Sequence, residues 1–238
     1  MPSTDRRPQR PVAMRRLRAV LIAAVLLGVA AAPARGATPD PILLIHGFQG
    51  SVGNFSELQP WLQAGGRTVV ALSLPSQDNK VNAQYIKDQI AARGCTRVDL
   101  VMHSMGALSG RYLIKSLGGA ATVQAYVSLG ATQYGVYPAC FLPSFYGGQM
   151  CPWSSFLSSL NSGDDTPNGP AWATIYSRND EVVPYSRSKL DGGACHFEVS
   201  GITHDGLLHS PTVIFPRILA ALDDAADASC PTGGTYRL

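Results

Sequence analysis

The sequence lacks several features that would point to other classes of protein. The apolar run of residues 19–32, interrupted by Gly28 alone, is shorter than the roughly 20 residues that a membrane-spanning helix needs. No group of Cys and His residues has the spacing of zinc ligands, so a zinc site is not expected. Beyond residue 34 we find neither an internal repeat nor a linker-like segment. That part, residues 35–238, is therefore expected to form one catalytic domain.

A basic segment followed by an apolar one is present at the N-terminus. Six arginines precede residue 19, and Ala32-Pro33-Ala34 places small residues at both cleavage positions. This order is typical of a secretory signal peptide. We therefore expect residues 1–34 to be removed, with Ala37 as an alternative last residue, and the mature protein to be extracellular without stable membrane insertion. An uncleaved anchor and export by the twin-arginine route are the alternatives.

The positive charge of the chain is concentrated in that N-terminal segment. Of the 19 basic and 16 acidic residues, six and one respectively lie within residues 1–34, so the remainder carries 13 basic and 15 acidic residues, a formal charge of −2. No stripe of Lys and Arg with interleaved aromatic residues follows. The sequence therefore gives no indication of nucleic-acid binding.

Five cysteines lie in the part expected to be exported, where disulfides are favoured. Cys140 and Cys151 bracket a short loop, which suggests one pair. Cys195 with Cys230 would then tie down the C-terminal tail, and Cys95 would remain a free thiol. Spacing alone does not determine this connectivity.

Strand-like and helix-like segments alternate along the first half of the domain, which predicts an α/β fold with about six mostly parallel strands and helices on both faces. Continuous apolar runs suit strands that are buried on both faces. Asn54, with Glu57 three residues later, suggests the capped start of a helix. The predicted strands are 41–48, 67–74, 97–102, 123–129, 171–176 and 195–202, and the other predicted helices are 79–92, 108–117 and 213–222.

Ser104 is the residue around which the remaining candidates are arranged. It stands between a predicted strand and a predicted helix in His103-Ser104-Met105-Gly106. This pattern resembles a nucleophile elbow, a sharp strained turn that exposes the serine hydroxyl above a sheet. The sequence therefore predicts that Ser104 is a catalytic nucleophile.

A serine nucleophile needs a base and an acid that orients the base. His204 follows the last predicted strand at the edge where ligands of parallel sheets bind, and we prefer it to His209, His103 and His196. Three acids remain open at this point. Asp180 and its neighbour Glu181 follow the fifth strand, and Asp205 adjoins His204.

Backbone N–H groups could stabilise the negative charge that develops on an attacked carbonyl oxygen. Met105, directly after the nucleophile, would supply one of them from a helix N-terminus. Phe48 would supply the second from the loop after the first strand, in His46-Gly47-Phe48.

Taken together, these segments resemble the small secreted bacterial lipases and esterases, the class 2 lipases of the α/β-hydrolase superfamily, over nearly all of residues 40–226. The resemblance implies a minimal α/β-hydrolase fold and a catalytic triad of Ser104, Asp180 and His204, in the chain order of that superfamily. It also implies the use of neither a metal nor an organic cofactor. The expected reaction is hydrolysis of acyl esters, with an acyltransferase, a polyester or cutinase-like hydrolase and a non-catalytic binding protein as alternatives.

The family usually has Gly or Ala two residues before the serine, where this chain has Met102. Residues 136–157 are rich in aromatic side chains, and we expect Phe145 and Trp153 to bind the acyl chain or to contact a lipid surface transiently. A simple covering loop is the alternative. We expect the protein to be a monomer.

Overall fold

The computed structural model describes residues 40–223, residue 230 and residues 235–236. These residues belong to one compact unit that spans Thr38–Leu238. The predicted signal peptide and its cleavage site lie outside the described residues. Within the described part of the chain, no helix is both long enough and apolar enough to cross a bilayer.

A seven-stranded sheet in the order β2-β1-β3-β4-β5-β6-β7 forms the centre of the unit. The first six strands are parallel, and the short β7 pairs antiparallel with β6. The prediction of about six mostly parallel strands is confirmed. The strands are β1 (Ile42–Ile45), β2 (Val69–Leu72), β3 (Val98–His103), β4 (Val123–Leu129), β5 (Ala171–Ser177), β6 (Cys195–Val199) and β7 (Thr235–Tyr236).

Helices cover both faces of the sheet, as predicted. The first and last helices pack against one face, and the second and third pack against the other. Two short helices were not predicted, because each is too short to show a clear apolar period. The helices are α1 (Leu58–Ala64), α2 (Asn79–Ala92), α3 (Gly106–Ser116), α4 (Ser155–Leu160), α5 (Tyr185–Ser188) and α6 (Phe215–Asp223).

Strand β1 shows why a continuous apolar run suits this architecture. Successive side chains of a strand point to opposite faces. Ile42 and Leu44 enter the apolar cluster beneath α1 and α6, while Leu43 and Ile45 enter the cluster beneath α2 and α3. All four side chains are completely buried, and burial of each contributes about 1.5–3 kcal/mol to folding.

The predicted helix start at Asn54 is wrong. Ser51 instead caps a 3₁₀ segment, Val52–Phe55, and Asn54 returns the capping contact by accepting the Ser51 N–H at 2.6 Å. Helix α1 begins three residues after this segment, and Glu57 makes no capping hydrogen bond with its side chain. The carboxylate of Glu57 contacts His209 Nδ1 at 3.1 Å instead.

Both predicted disulfides are confirmed. Cys140 is bonded to Cys151 within the aromatic loop, residues 136–157, and Cys195 in β6 is bonded to Cys230. Cys95 is free. The second bond fastens a residue near the C-terminus to the sheet, as the sequence suggested.

Candidate active site

Ser104 occupies the turn between β3 and α3 with a left-handed backbone conformation, φ 54°. This conformation costs an L-residue roughly 1–2 kcal/mol. Gln49, in the loop after β1, is the other non-glycine residue with positive φ among those described. The Ser104 N–H donates to the carbonyl of Leu129 at the end of β4, at 2.9 Å. The strained turn predicted for an elbow is present and is held against the neighbouring strand.

Two glycines allow the loop after β1 to approach this turn closely. A Cβ atom on Gly47 would lie 2.8 Å from Ser104 Cβ. A Cβ on Gly106, in the first turn of α3, would collide with the backbone carbonyl of His46. The carbonyl near Gly106 belongs to the backbone, and Ser104 Cβ is attached directly to the backbone of the turn. Neither atom can move aside cheaply, so both positions require glycine.

The unusual Met102 is accommodated by a third glycine. Its side chain is fully buried between the sheet and α3. Its sulfur lies where a Cβ on Gly110 would be. Because Gly110 has no side chain, α3 leaves room for Met102 at the position where the family usually has Gly or Ala.

His204 and Asp180 form a short hydrogen bond, 2.7 Å between His204 Nδ1 and Asp180 Oδ2. Asp180 follows β5, and its side chain is only 1% exposed. The second oxygen, Oδ1, accepts the backbone N–H groups of Val182 and Val183 at 2.9 and 2.7 Å. These contacts fix the carboxylate, and the carboxylate fixes the imidazole ring.

The other two candidate acids do not bond to the ring of His204. Glu181 Oε2 accepts the backbone N–H of His204 at 3.1 Å. Asp205 is paired with His209, 3.7 Å from its Nε2. Of the three acids that the sequence left open, the geometry favours Asp180.

Gly130 lies directly beneath the pair of His204 and Asp180. Its φ is +53°, and a Cβ there would be 2.9 Å from Asp180 Oδ2 and 3.1 Å from His204 Nδ1. Sequence reasoning missed this residue. Its only local signal is a glycine directly after a buried strand, which by itself indicates no more than a turn.

The loop after β1 is oriented by His46, a second residue that sequence reasoning missed. His46 Nε2 accepts the N–H of Leu74 at 3.1 Å, so Nδ1 carries the hydrogen and donates to the Gly47 carbonyl at 3.0 Å. Burial lowers the pKa of His46, which keeps this tautomer neutral. In a trans peptide the C=O and N–H point in opposite directions. Holding the Gly47 carbonyl therefore fixes the direction of the Phe48 N–H.

Within the described part of the chain, no hydrogen bond is found from the backbone N–H of Phe48 or Met105. The Ser104 hydroxyl likewise has no partner among the described residues. Catalytic hydrogen bonds are often long without substrate and shorten in its presence. These groups are therefore free to bind a substrate.

The aromatic loop, residues 136–157, covers this edge of the sheet. Its inner side chains, including Val136, Ala139 and Met150, form an apolar cluster with Met105 and Leu108 of the elbow region. Its outer aromatic side chains are exposed. The exposed fractions are 54% for Tyr137, 91% for Phe141, 69% for Phe145 and 74% for Trp153.

A cavity of about 150 Å³ lies where the aromatic loop meets the segment after β5. Asp180, Val136 and Val182 are among its lining residues. Phe145 and Trp153, the predicted acyl-binding residues, do not line it. The structure places these two side chains on the outside of the loop.

A model of the alpha/beta hydrolase family matches residues 42–232. The chain belongs to this family. The resemblance to the α/β-hydrolase superfamily is therefore confirmed, and the parallel sheet with helices on both faces is the fold expected for such a member.

Two curated relatives of this alpha/beta hydrolase are triacylglycerol lipases. The one from Burkholderia plantarii is 33% identical over 113 residues, which is 39% of this chain and 32% of the relative. The one from Pseudarthrobacter phenanthrenivorans is 33% identical over 91 residues, 32% of this chain and 28% of the relative. The chain thus matches about a third of the length of these relatives.

Solved structures are similar in fold. The mature form of Bacillus licheniformis lipase BlEst2 has a TM-score of 0.66 at 15% identity, with 78% of this chain and 93% of that chain covered. The esterase RhEst1 of Rhodococcus sp. ECU1013 has a TM-score of 0.60 at 16% identity, with 79% and 91% covered. At these identities the likeness concerns the fold alone.

Proposed function

We propose that this protein is a secreted serine carboxylic-ester hydrolase, a lipase or esterase. The observation that carries the proposal is the placement of a strained serine turn at the same sheet edge as a buried, hydrogen-bonded Asp180 and His204 pair. A nucleophile, a base and an orienting acid are the groups that acyl transfer requires.

In the proposed reaction the neutral His204 carries its hydrogen on Nδ1, toward Asp180, so Nε2 is available as a base. It takes the proton of Ser104 as Oγ attacks the ester carbonyl. The imidazolium then protonates the departing alcohol, which leaves an acyl group on Oγ. Water, deprotonated by His204, attacks this acyl group, and the acid is released as the proton returns to Ser104.

The backbone N–H groups of Phe48 and Met105 are proposed to stabilise the oxyanion of each tetrahedral intermediate. Each such donor lowers the barrier by roughly 3 kcal/mol. The hydrogen bond from His46 to the Gly47 carbonyl supports this role, because it fixes the orientation of the peptide group between Gly47 and Phe48. The proposed mechanism uses neither a metal nor an organic cofactor.

Lipid esters are the proposed substrate class, because the two curated relatives are triacylglycerol lipases. Phe145 and Trp153 are proposed to bind the acyl chain or to contact a lipid surface transiently. Their exposure supports the second of these roles. An acyltransferase would use the same residues, and a cutinase-like enzyme would take a polyester.

Export is proposed for the same protein, with residues 1–34 as the cleaved signal peptide and a monomeric domain of residues 35–238 as the product. Two disulfides in the domain agree with an oxidising destination. The mass of the N-terminal peptide from culture medium would locate the cleavage site, and an intact N-terminus in the membrane fraction would contradict it.

The test of the activity is the Ser104→Ala variant, assayed with esters of increasing acyl length. We expect hydrolysis to fall to the background rate, while the wild-type profile shows whether short or long acyl chains are preferred. Undiminished hydrolysis by the variant would rule out the proposed mechanism. Added alcohol distinguishes an acyltransferase, since the acyl group would then leave as a new ester.

The aromatic loop is tested by replacing Phe145 and Trp153 with serine together. We expect a several-fold loss of rate on emulsified long-chain esters and little change on a soluble short-chain ester. Val81→Ser is the matched control, because Val81 is 49% exposed on α2 and belongs to another surface. An unchanged profile would favour a simple covering role for the loop.

A further inference from the structure

His103 is a buried histidine for which the proposed mechanism has no role. It ends β3 directly before Ser104, and its Nε2 lies 3.1 Å from the carbonyl oxygen of His204, 101 residues later in the chain. A carbonyl oxygen can only accept, so Nε2 of His103 carries the hydrogen and donates it. The two imidazole rings are adjacent, with centroids 4.4 Å apart.

Hydrogen bonds hold the main chain of His204 at both its N–H and its C=O. Its N–H donates to Glu181 Oε2 at 3.1 Å, and its C=O accepts from His103. His204 itself lies outside β6, directly before the 3₁₀ segment Asp205–Leu208. Because the residue that holds the His204 carbonyl is the immediate neighbour of Ser104, this hydrogen bond joins the base directly to the turn that carries the nucleophile.

A neutral hydrogen-bond donor is suited to fixing the position of His204, and His103 is such a donor. Burial, together with the charge that His204 would carry, lowers the pKa of His103 to about 3, so the ring is neutral at ordinary pH. Acyl transfer creates an imidazolium at His204. A positive charge on the adjacent His103 would disfavour the formation of that imidazolium. A neutral donor fixes the position of His204 without this penalty.

We propose that His103 is a positioning residue, which holds His204 opposite Ser104 by donating Nε2–H to the His204 carbonyl. This inference rests on the proposed function, since it assigns His103 to the same acyl-transfer site. It extends that function by one residue that acts on the reaction through its hydrogen bond to His204.

The test compares His103→Phe with His103→Gln. Phenylalanine keeps an aromatic ring and removes the donor. Glutamine keeps a neutral N–H donor the same number of bonds from Cβ. Rates are expressed per active site, as titrated with a fluorophosphonate, so that unfolded protein does not contribute.

We expect His103→Phe to lower kcat about 10- to 100-fold with little change in KM, since small misplacements of catalytic groups have effects of this size. His103→Gln should recover most of the loss. His209→Gln, the same substitution at a histidine paired with Glu57 and Asp205, should be close to wild type. An unchanged kcat in His103→Phe, an equal loss in both variants, or an effect on KM alone would overturn the proposal.

A measurement on the wild-type protein keeps the proposal testable if both variants fail to fold. Long-range ¹⁵N–¹H correlation spectra identify the protonated nitrogen of each imidazole. We expect His103 to be the Nε2–H tautomer, and an Nδ1–H tautomer would overturn the proposal. This result is independent of whether Ser104→Ala retains ester hydrolysis, so a failure of the proposed function can be recognised separately.

Discussion

Asp180 and Asp99 are both buried carboxyl groups, but they lie at opposite ends of the parallel sheet and have different partners. At the carboxyl end, Asp180 accepts two backbone N–H groups and the Nδ1 hydrogen of His204. At the amino end, Asp99 has one carboxyl oxygen without a hydrogen-bond partner among the described residues. Burial, with a smaller contribution from the charge of Asp40, raises the pKa of Asp99 to about 7.

Because of these partners, Asp180 is suited to a catalytic role, whereas Asp99 is buried without compensating hydrogen bonds to one of its oxygens from the residues that the structure describes. Burial disfavours a charged carboxylate unless donors compensate for the lost water. Three donors hold Asp180 in one orientation toward the proposed base. We therefore expect substitutions at the carboxyl end to change activity and those at the amino end to change stability.

The largest effect is expected from Asp180→Asn. The amide would favour the wrong tautomer of His204, and loss of the corresponding acid in a catalytic triad reduces kcat by about 10⁴-fold. Glu181→Gln and Asp205→Asn are the matched controls, because Glu181→Gln keeps an acceptor for the His204 N–H and Asp205 contacts His209. Steady-state kinetics on a soluble ester would measure kcat for Asp180→Asn and for both controls. A loss in Glu181→Gln as large as in Asp180→Asn would contradict the assignment of the acid.

Gly130→Ala should have the next largest effect. The added methyl group would press against both Asp180 Oδ2 and His204 Nδ1, and we expect kcat to fall about 10- to 100-fold. Alanine at positive φ should also cost roughly 1–2 kcal/mol of stability. Gly118→Ala has a similar φ, +81°, with open space around the new methyl group, so it controls for backbone strain. Equal kcat values in the two variants would show that the contact beneath the pair has no role.

Met102→Ala tests the apolar core that lies beneath the elbow. Removing a buried methionine side chain costs about 2–5 kcal/mol of unfolding free energy, and denaturant titration would measure it. Activity per folded molecule should not rise, because Gly110 already provides room for the methionine. A clear gain of activity would mean that Met102 impairs the native elbow.

Asp99→Asn should have the smallest effect on activity, and its effect on stability should depend on pH. Native Asp99 keeps its proton up to a pH of about 7, whereas the unfolded chain loses it near 3.8. The native state therefore binds more protons in this window, and this carboxyl lowers stability as pH rises through it. Relative to wild type, the variant should gain stability between about pH 4 and about pH 7, by at most about 1.4 kcal/mol per pH unit, with unchanged kcat. A pH-independent difference in unfolding free energy would contradict the shifted pKa.

Sequence reasoning reached the elements and contacts that are encoded locally. The helix Asn79–Ala92 and the strand Val123–Leu129 have the predicted bounds. Both disulfide pairs agree with the predicted pairing. A periodic apolar pattern, or two cysteines at the ends of a short loop such as Cys140 and Cys151, can be seen without knowledge of the fold. Cys195 and Cys230 are then paired as a tie for the C-terminal tail.

Contacts between distant segments could not be predicted in the same way. Gly110 is paired with Met102 only because α3 packs over β3, and Gly130 lies against Asp180 and His204 only because two later loops meet above it. From the sequence, His103 is considered only as a base and set aside in favour of His204. Its bond to His204 depends on the folded position of a loop 101 residues away. In each case the residue type was visible, but its partner was not.

Covalent labelling of the nucleophile tests the central claim most directly. The protein is treated with a fluorophosphonate, residual ester hydrolysis is followed, and the modified residue is located by peptide mass spectrometry. The account predicts one label per chain, on Ser104, with hydrolysis lost in proportion to labelling and no label in Ser104→Ala. A label on another residue, or hydrolysis that persists after Ser104 is fully modified, would contradict it.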